Sequence, residues 1–244
     1  MKKEKRSRQL GFSLIEMLIV VVVMSIITGA IFSQIDVAHR NSQSEQIKLD
    51  LFQEVREFTD QISRDVRATG YPSSRNFDTS NLSSLAYTDV KNAVGLIKLD
   101  VDQLQLESAV QGDGTVWVIR YRLVQDGPGC PCLQRSQTAK VPGDPLSQSG
   151  IDNKYVTEVQ HVENGGTADP IFRAFRTNGT EISLPIDLNT TEIADINSVM
   201  IKVTVRTPKP DLYGKKPSVT MISTVRISNC SQGYLPEHDH LMGC

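Results

Sequence analysis

The chain has 244 residues, 26 of them basic and 28 acidic, for a formal net charge of −2. With 22% charged and 39% hydrophobic residues it can build a real core, and no basic patch interleaved with aromatics points to a nucleic acid partner. The charge is distributed unevenly. Lys2, Lys3, Lys5, Arg6 and Arg8 oppose only Glu4 before Gly11, so the remainder carries 21 basic against 27 acidic residues.

The first predicted element is apolar and long. From Phe12 to Phe32 the only ionised side chain is Glu16. At ~1.5 Å rise per residue these positions cover about 30 Å, the thickness of a bilayer's hydrocarbon core. The basic flank predicts that the N-terminal end stays in the cytoplasm and the rest lies outside. A removed secretory signal would have an apolar core of about 7–15 residues and a small-residue cleavage site. Here the run is longer, no such site follows Phe32, and no cysteine lies near its end. A retained anchor is therefore expected.

The helical pattern continues past the anchor. No proline or glycine falls between Ser33 and Thr69, and Ile47, Leu51, Val55, Phe58, Ile62 and Val66 recur at steps of three and four, the spacing of one helical stripe. His39 to Gln46 reads as an exposed polar waist, and Gly70 before Tyr71-Pro72 is a stop signal. A single helix from about Phe12 to Thr69 would be ~87 Å long. The stripe is too short to favour a coiled-coil dimer.

Beyond Gly70 the period becomes two. Trp117, Ile119, Tyr121 and Leu123 fall on one face of a strand and Arg120 and Arg122 on the other. "DQLQLES" and "GDG" before it complete a hairpin. Val199, Ile201, Val203 and Val205 alternate with Lys202, Thr204 and Arg206, and Val219, Met221, Val225 and Ile227 share one parity. "YVTEVQHV" and "IFRAFRT" are weaker strands, and Asp126 to Asn153 is expected to be a long exposed loop. The fold class is α+β: a long N-terminal helix, spanning in its first half and amphipathic in its second, packed on a mainly antiparallel sheet.

Gly11-Phe12-Ser13-Leu14-Ile15-Glu16, behind a basic leader and ahead of an unbroken apolar run, resembles the processing site of the type IV pilin family. That family includes the pseudopilins of type II secretion and of competence. The resemblance implies that a prepilin peptidase cuts between Gly11 and Phe12 and that Phe12 is then N-methylated. It gives Glu16 a role in assembly with neighbouring subunits. It divides the chain into a leader (1–11), an assembly helix (12–32), its amphipathic continuation (33–70) and a β-rich head (71–244). The partners implied are other major and minor pilins and the inner-membrane assembly platform. The location implied is the bacterial inner membrane, with the head in the periplasm and then on an extracellular filament. "RDVRATGYP", "YRLV", "IFRAF", "VTVRTP" and "STVRISN" more loosely resemble the minor pilins called PilW, with the J-type secretion pseudopilin close behind. Many pilins carry a proline about twenty residues into the mature chain. This one has none there, and Gly29 is the weak point of its anchor.

The four cysteines, Cys130, Cys132, Cys230 and Cys244, all fall on the expected outer side. An even number in an oxidising compartment predicts disulfides rather than a zinc site, with three connectivities open. A Cys230–Cys244 link resembles the disulfide-bounded C-terminal region of many pilins and would leave Cys130 to Cys132; crossed pairings would staple the long loop to the tail instead.

Catalytic signatures are missing: no G-x-S-x-G, H-E-x-x-H, P-loop or dinucleotide fingerprint occurs. Glu237-His238-Asp239-His240 offers imidazoles to a transition metal but is expected to be a solvated tail, and "GDGT" lacks EF-hand spacing. Trp117 is expected in the core. No enzyme activity, cofactor or metal is expected, although an anchored enzyme or binding protein with a pilin-like start is the reading from a different class.

Overall fold

A computed structural model describes residues 13–71, 90–109, 114–147, 154–208, 210–211, 214–227, 231–232 and 242–243. The chain divides into two compact units, Met1–Gln46 and Ile47–Cys244. One helix, α1 (Leu14–Arg67), has residues in both.

Within the first unit α1 starts where the Ser13 carbonyl accepts hydrogen bonds from the amides of Glu16 and Met17. The helix then continues through Gly29 without a break. Leu14 (87% exposed) to Val37 present large apolar side chains on every side. The polar waist expected from the sequence is helical too, and carries an Asp36–Arg40 ion pair of 2.9 Å one turn apart.

Among the described residues the second unit comprises the rest of α1 and twelve strands: β1 (Leu96–Leu99), β2 (Gln103–Ser108), β3 (Trp117–Val124), β4 (Cys132–Ala139), β5 (Val156–Val159), β6 (Phe172–Phe175), β7 (Glu181–Ile182), β8 (Ile186–Asp187), β9 (Ser198–Arg206), β10 (Ser218–Arg226), β11 (Ser231–Gln232) and β12 (Met242–Gly243). They form a six-stranded sheet in the order β5-β4-β3-β2-β1-β8, a four-stranded sheet in the order β10-β9-β6-β7, and the pair β11-β12. Every pairing is antiparallel. The α+β architecture predicted from the sequence is therefore present, with a head made of two main sheets.

The amphipathic stripe does what its spacing predicts. Val55, Phe58, Ile62 and Val66 are buried in one cluster with Leu104, Leu106, Ile119 and Tyr121 of the larger sheet and Val199, Ile201 and Val203 of the smaller. Phe58 and Tyr121 meet edge to face, with ring centroids 5.7 Å apart, an arrangement worth about 0.5–1.5 kcal/mol beyond area burial. Gly70 ends the helix with φ at 72°, the left-handed conformation glycine adopts without Cβ strain. Its amide donates to the Glu107 carbonyl at 2.9 Å, which fixes the helix end to β2.

One expectation is corrected. The exposed loop expected over Asp126–Asn153 contains β4, an eight-residue strand in the body of the larger sheet, paired along its whole length with β3 and on its other side with β5. Its sequence, CLQRSQTA, has no apolar alternation because most of its inward and outward positions are polar. Buried Ser136 and Thr138 occupy one face. On the other, Arg135 reaches under the sheet because a carboxylate of α1 receives it. Trp117 is half-buried against the core, as expected of a core residue.

Candidate functional site

Two groups of residues could act: the anchor segment, and the polar side chains that hold the head together. Gly11 and Phe12, the residues of the expected cut, lie outside the described residues. Glu16 is described. It stands exposed in the first turn of α1, where the amide end of the helix dipole favours a negative charge. From Leu14 to Ile35 no other ionised side chain occurs. Ser25 returns its hydroxyl to the Val21 carbonyl at 2.8 Å, so it presents little unmet polarity to lipid. A Cβ at Gly29 would meet nothing within 4 Å. Thus from Leu14 to Phe32 the segment presents apolar side chains on all sides, and Glu16 is its one ionised group. Among the described residues, α1 is the helix long and apolar enough to cross a membrane.

The end of α1 is clamped to the head by charge. Asp65 accepts from the Tyr121 hydroxyl at 2.5 Å and from Arg135 Nε at 2.9 Å, and its ion pair with Arg135 Nη2 is also 2.9 Å. The phenol is pushed above its usual range by burial and by the Asp65 charge, so it stays a donor at any physiological pH. The Arg135 guanidinium is held above its ordinary value by Tyr121 and Asp65, which outweigh its burial.

A second polar group is fully enclosed. Lys140 Nζ lies 2.8 Å from Glu107 Oε2 and donates to the Asn92 carbonyl at 2.8 Å, and neither side chain of the pair is exposed. The Val94 amide donates to the same Glu107 oxygen at 3.0 Å. Burial pushes the Glu107 carboxyl up, against Lys140, Val94 and Arg120, which lower it. Neither this pair nor the Asp65 clamp was singled out from the sequence. Glu107 stands in "DQLQLES" at the parity of Gln103 and Gln105, the outward row of β2, so alternation alone predicts an exposed carboxylate and gives no sign of its burial.

Two open clefts have polar walls. One, of about 480 Å³, lies over the outward face of the larger sheet and is lined by Lys98, Arg120, Arg122 and Tyr155 among others. Arg122 stacks on the Tyr155 ring at 3.6 Å and donates to Gln134, so its charge is already engaged. The other, of about 510 Å³, lies beside α1 and carries Glu54, Glu57, Asp60 and Glu158 with Arg64 and Arg135. Among the described residues no group of three metal-ligating side chains converges. Glu237-His238-Asp239-His240 lies outside them.

Cys130 and Cys132 are joined by a disulfide at the start of β4. Cys230 and Cys244 lie outside the described residues, but their sequence neighbours Ser231 and Gly243 are a cross-strand pair of β11 and β12. A Cys230–Cys244 link is therefore the proposal that best fits that register. A non-reduced peptide map of the full chain should show one peptide pair carrying Cys230 and Cys244, and a loop spanning Cys130–Cys132. A fragment joining Cys130 to Cys244 would refute it. Closing a loop of ~15 residues should stabilise the tail by about 3 kcal/mol on the chain-entropy estimate.

Residues 6–32 match the family described as the prokaryotic N-terminal methylation motif. That is the stretch holding the basic flank, Gly11, Phe12, Glu16 and the apolar first half of α1. It supports a pilin or pseudopilin, a structural rather than an enzymatic class of protein, processed by prepilin peptidase and anchored in a membrane. Neither the curated proteins nor the solved structures provide a match.

Proposed function

We propose that the chain is a minor pilin of the PilW kind. In this reading prepilin peptidase cuts between Gly11 and Phe12, Phe12 is N-methylated, and the mature subunit enters a type IV pilus, whose assembly it helps to initiate or cap. The observation that carries the reading is the coincidence of the methylation motif at residues 6–32 with a helix that exposes large apolar side chains from Leu14 to Phe32, with Glu16 the one ionised group among them. Such a surface is unsuited to water, and lipid first and then neighbouring helices would cover it. The basic flank favours a cytoplasmic position for that end, and a disulfide at Cys130–Cys132 suits a head in the oxidising periplasm. The head's role is to hold the far end of α1 and present a surface to partner pilins.

A J-type pseudopilin of type II secretion is the second reading, favoured by the same anchor and a β-rich head. Deleting the gene separates the two: loss of surface filaments supports the pilin, and loss of exported hydrolases with filaments intact supports the pseudopilin. Both require processing. Gly11→Val places a branched side chain at the scissile junction, so the full-length precursor should accumulate in the membrane, as immunoblots of membrane fractions would show. A Gly11→Val chain that matures at the normal rate would contradict both.

A further inference from the structure

The four-stranded sheet ends on one side at β10, which pairs with β9 in an unbroken nine-residue register and, among the described residues, with no other strand. The other sheet edges are short: β7 and β8 have two residues each and β5 has four. Long edges in soluble heads are usually blunted by a proline, a bulge or an inserted charge. None of these interrupts Ser218–Val225, and Arg226 is the sole charge of the strand. At its centre Ile222 is 58% exposed. Edge and apolar centre together mark a surface that accepts another strand.

The sequence of β10 says which strand. S-V-T-M-I-S-T-V-R reads nearly the same from both ends about Ile222. Two antiparallel copies centred on that residue set Val219 against Val225, Thr220 against Thr224, Met221 against Ser223, and Ile222 against itself. All nine positions pair in this register, whereas any slip shortens it, and a slip of one residue turns the inward row of one strand to the outside. Matched side chains then meet on both faces. Threonine pairs already occur here, since Thr204 and Thr220 are 2.9 Å apart on the outward face. Arg226 falls opposite Ser218, so no like charges face one another. A partner of different sequence would impose no such symmetry on the strand. We infer that β10 is a homotypic docking edge, which joins the four-stranded sheets of two copies of this chain across a two-fold axis at Ile222. The inference does not depend on the pilin reading.

Cysteine pairing in the full-length chain, in its own membrane, tests the register. Ile222→Cys should give a disulfide-linked homodimer under mild oxidation, because directly opposed Cβ atoms lie about 4.5–5.5 Å apart. Thr220→Cys and Thr224→Cys should each fail alone and crosslink when the two variants are co-expressed. In an uncrosslinked chain Ile222→Lys should lower the dimer fraction at least about tenfold, since like charges directly opposite are destabilising, whereas Ile222→Val should retain it. Three results would overturn the inference: no Ile222→Cys dimer, equal crosslinking by Thr224→Cys alone, or crosslinks to a different protein only.

Discussion

Lys140→Met should destabilise the head by about 3–5 kcal/mol, because it leaves the Glu107 carboxylate enclosed without its cation. For a domain of this size that corresponds to a fall of roughly 10 °C in unfolding temperature, measurable on the detergent-solubilised full chain. The expectation rests on complete enclosure: both side chains are unexposed, and Lys140 Nζ is held by Glu107 Oε2 and the Asn92 carbonyl, each at 2.8 Å. Met has nearly the reach of Lys, so packing changes little and the charge is what is removed. Burial already raises the Glu107 carboxyl, and Lys140 is the largest influence opposing it. Without Lys140 the carboxyl rises further. A carboxyl raised in the folded state binds its proton more tightly there than in the unfolded chain. The loss should therefore shrink as pH falls toward the ordinary carboxylate range and grow as pH rises. Pairing Lys140→Met with Glu107→Leu should recover much of the stability, since an apolar pair of similar volume often replaces a buried ion pair without loss. A Lys140→Met chain that melts with the parent would mean that water reaches Glu107.

Glu16→Ala should be inserted and cleaved normally, yet enter filaments at least about tenfold less than the parent, read by quantitative immunoblotting of sheared filaments. This expectation belongs to the proposed pilin function. A carboxylate within the hydrocarbon is costly, on the order of 2.5–3.5 kcal/mol at mid-bilayer. Glu16 is the one ionised residue between Ser13 and Ile35. Cutting after Gly11 would create a positive amine on Phe12 in the same apolar setting, one helical turn away. In the assembled filament the carboxylate of one subunit and the amine of its neighbour would satisfy each other only in correct register, and removing one partner leaves the other charge buried. Neither cleavage nor insertion uses that neighbour, so both should survive the substitution. Normal incorporation of cleaved Glu16→Ala would limit the carboxylate to processing or to the headgroup boundary.

Much of the architecture was legible because its signals are periodic. The steps from Ile47 to Val66 gave the buried stripe, Gly70 the helix end, and the alternations in β3, β9 and β10 their inward faces. β4 was illegible for the opposite reason. Its buried positions include Ser136 and Thr138 on one face, and on the other Arg135 is half-buried against Asp65, 70 residues away, so polar residues stand where an alternating pattern would show apolar ones. Short β1, β7 and β8 owe their places to neighbouring strands rather than to their own pattern. The same limit hid the polar groups: Glu107 and Lys140 are 33 residues apart, and Asp65 and Arg135 are 70 apart. The methylation motif at residues 6–32 was legible because it is a local sequence pattern, while the cut proposed within it is a covalent change that only chemistry on the mature chain can register.

That chemistry is the most direct test. Mass spectrometry of the N-terminal peptide, from protein purified out of membranes or sheared filaments, is expected to find a chain that begins with N-methyl-phenylalanine at Phe12. A chain that retains Met1–Gly11, or one cut after Phe32 like an ordinary exported protein, would contradict the account.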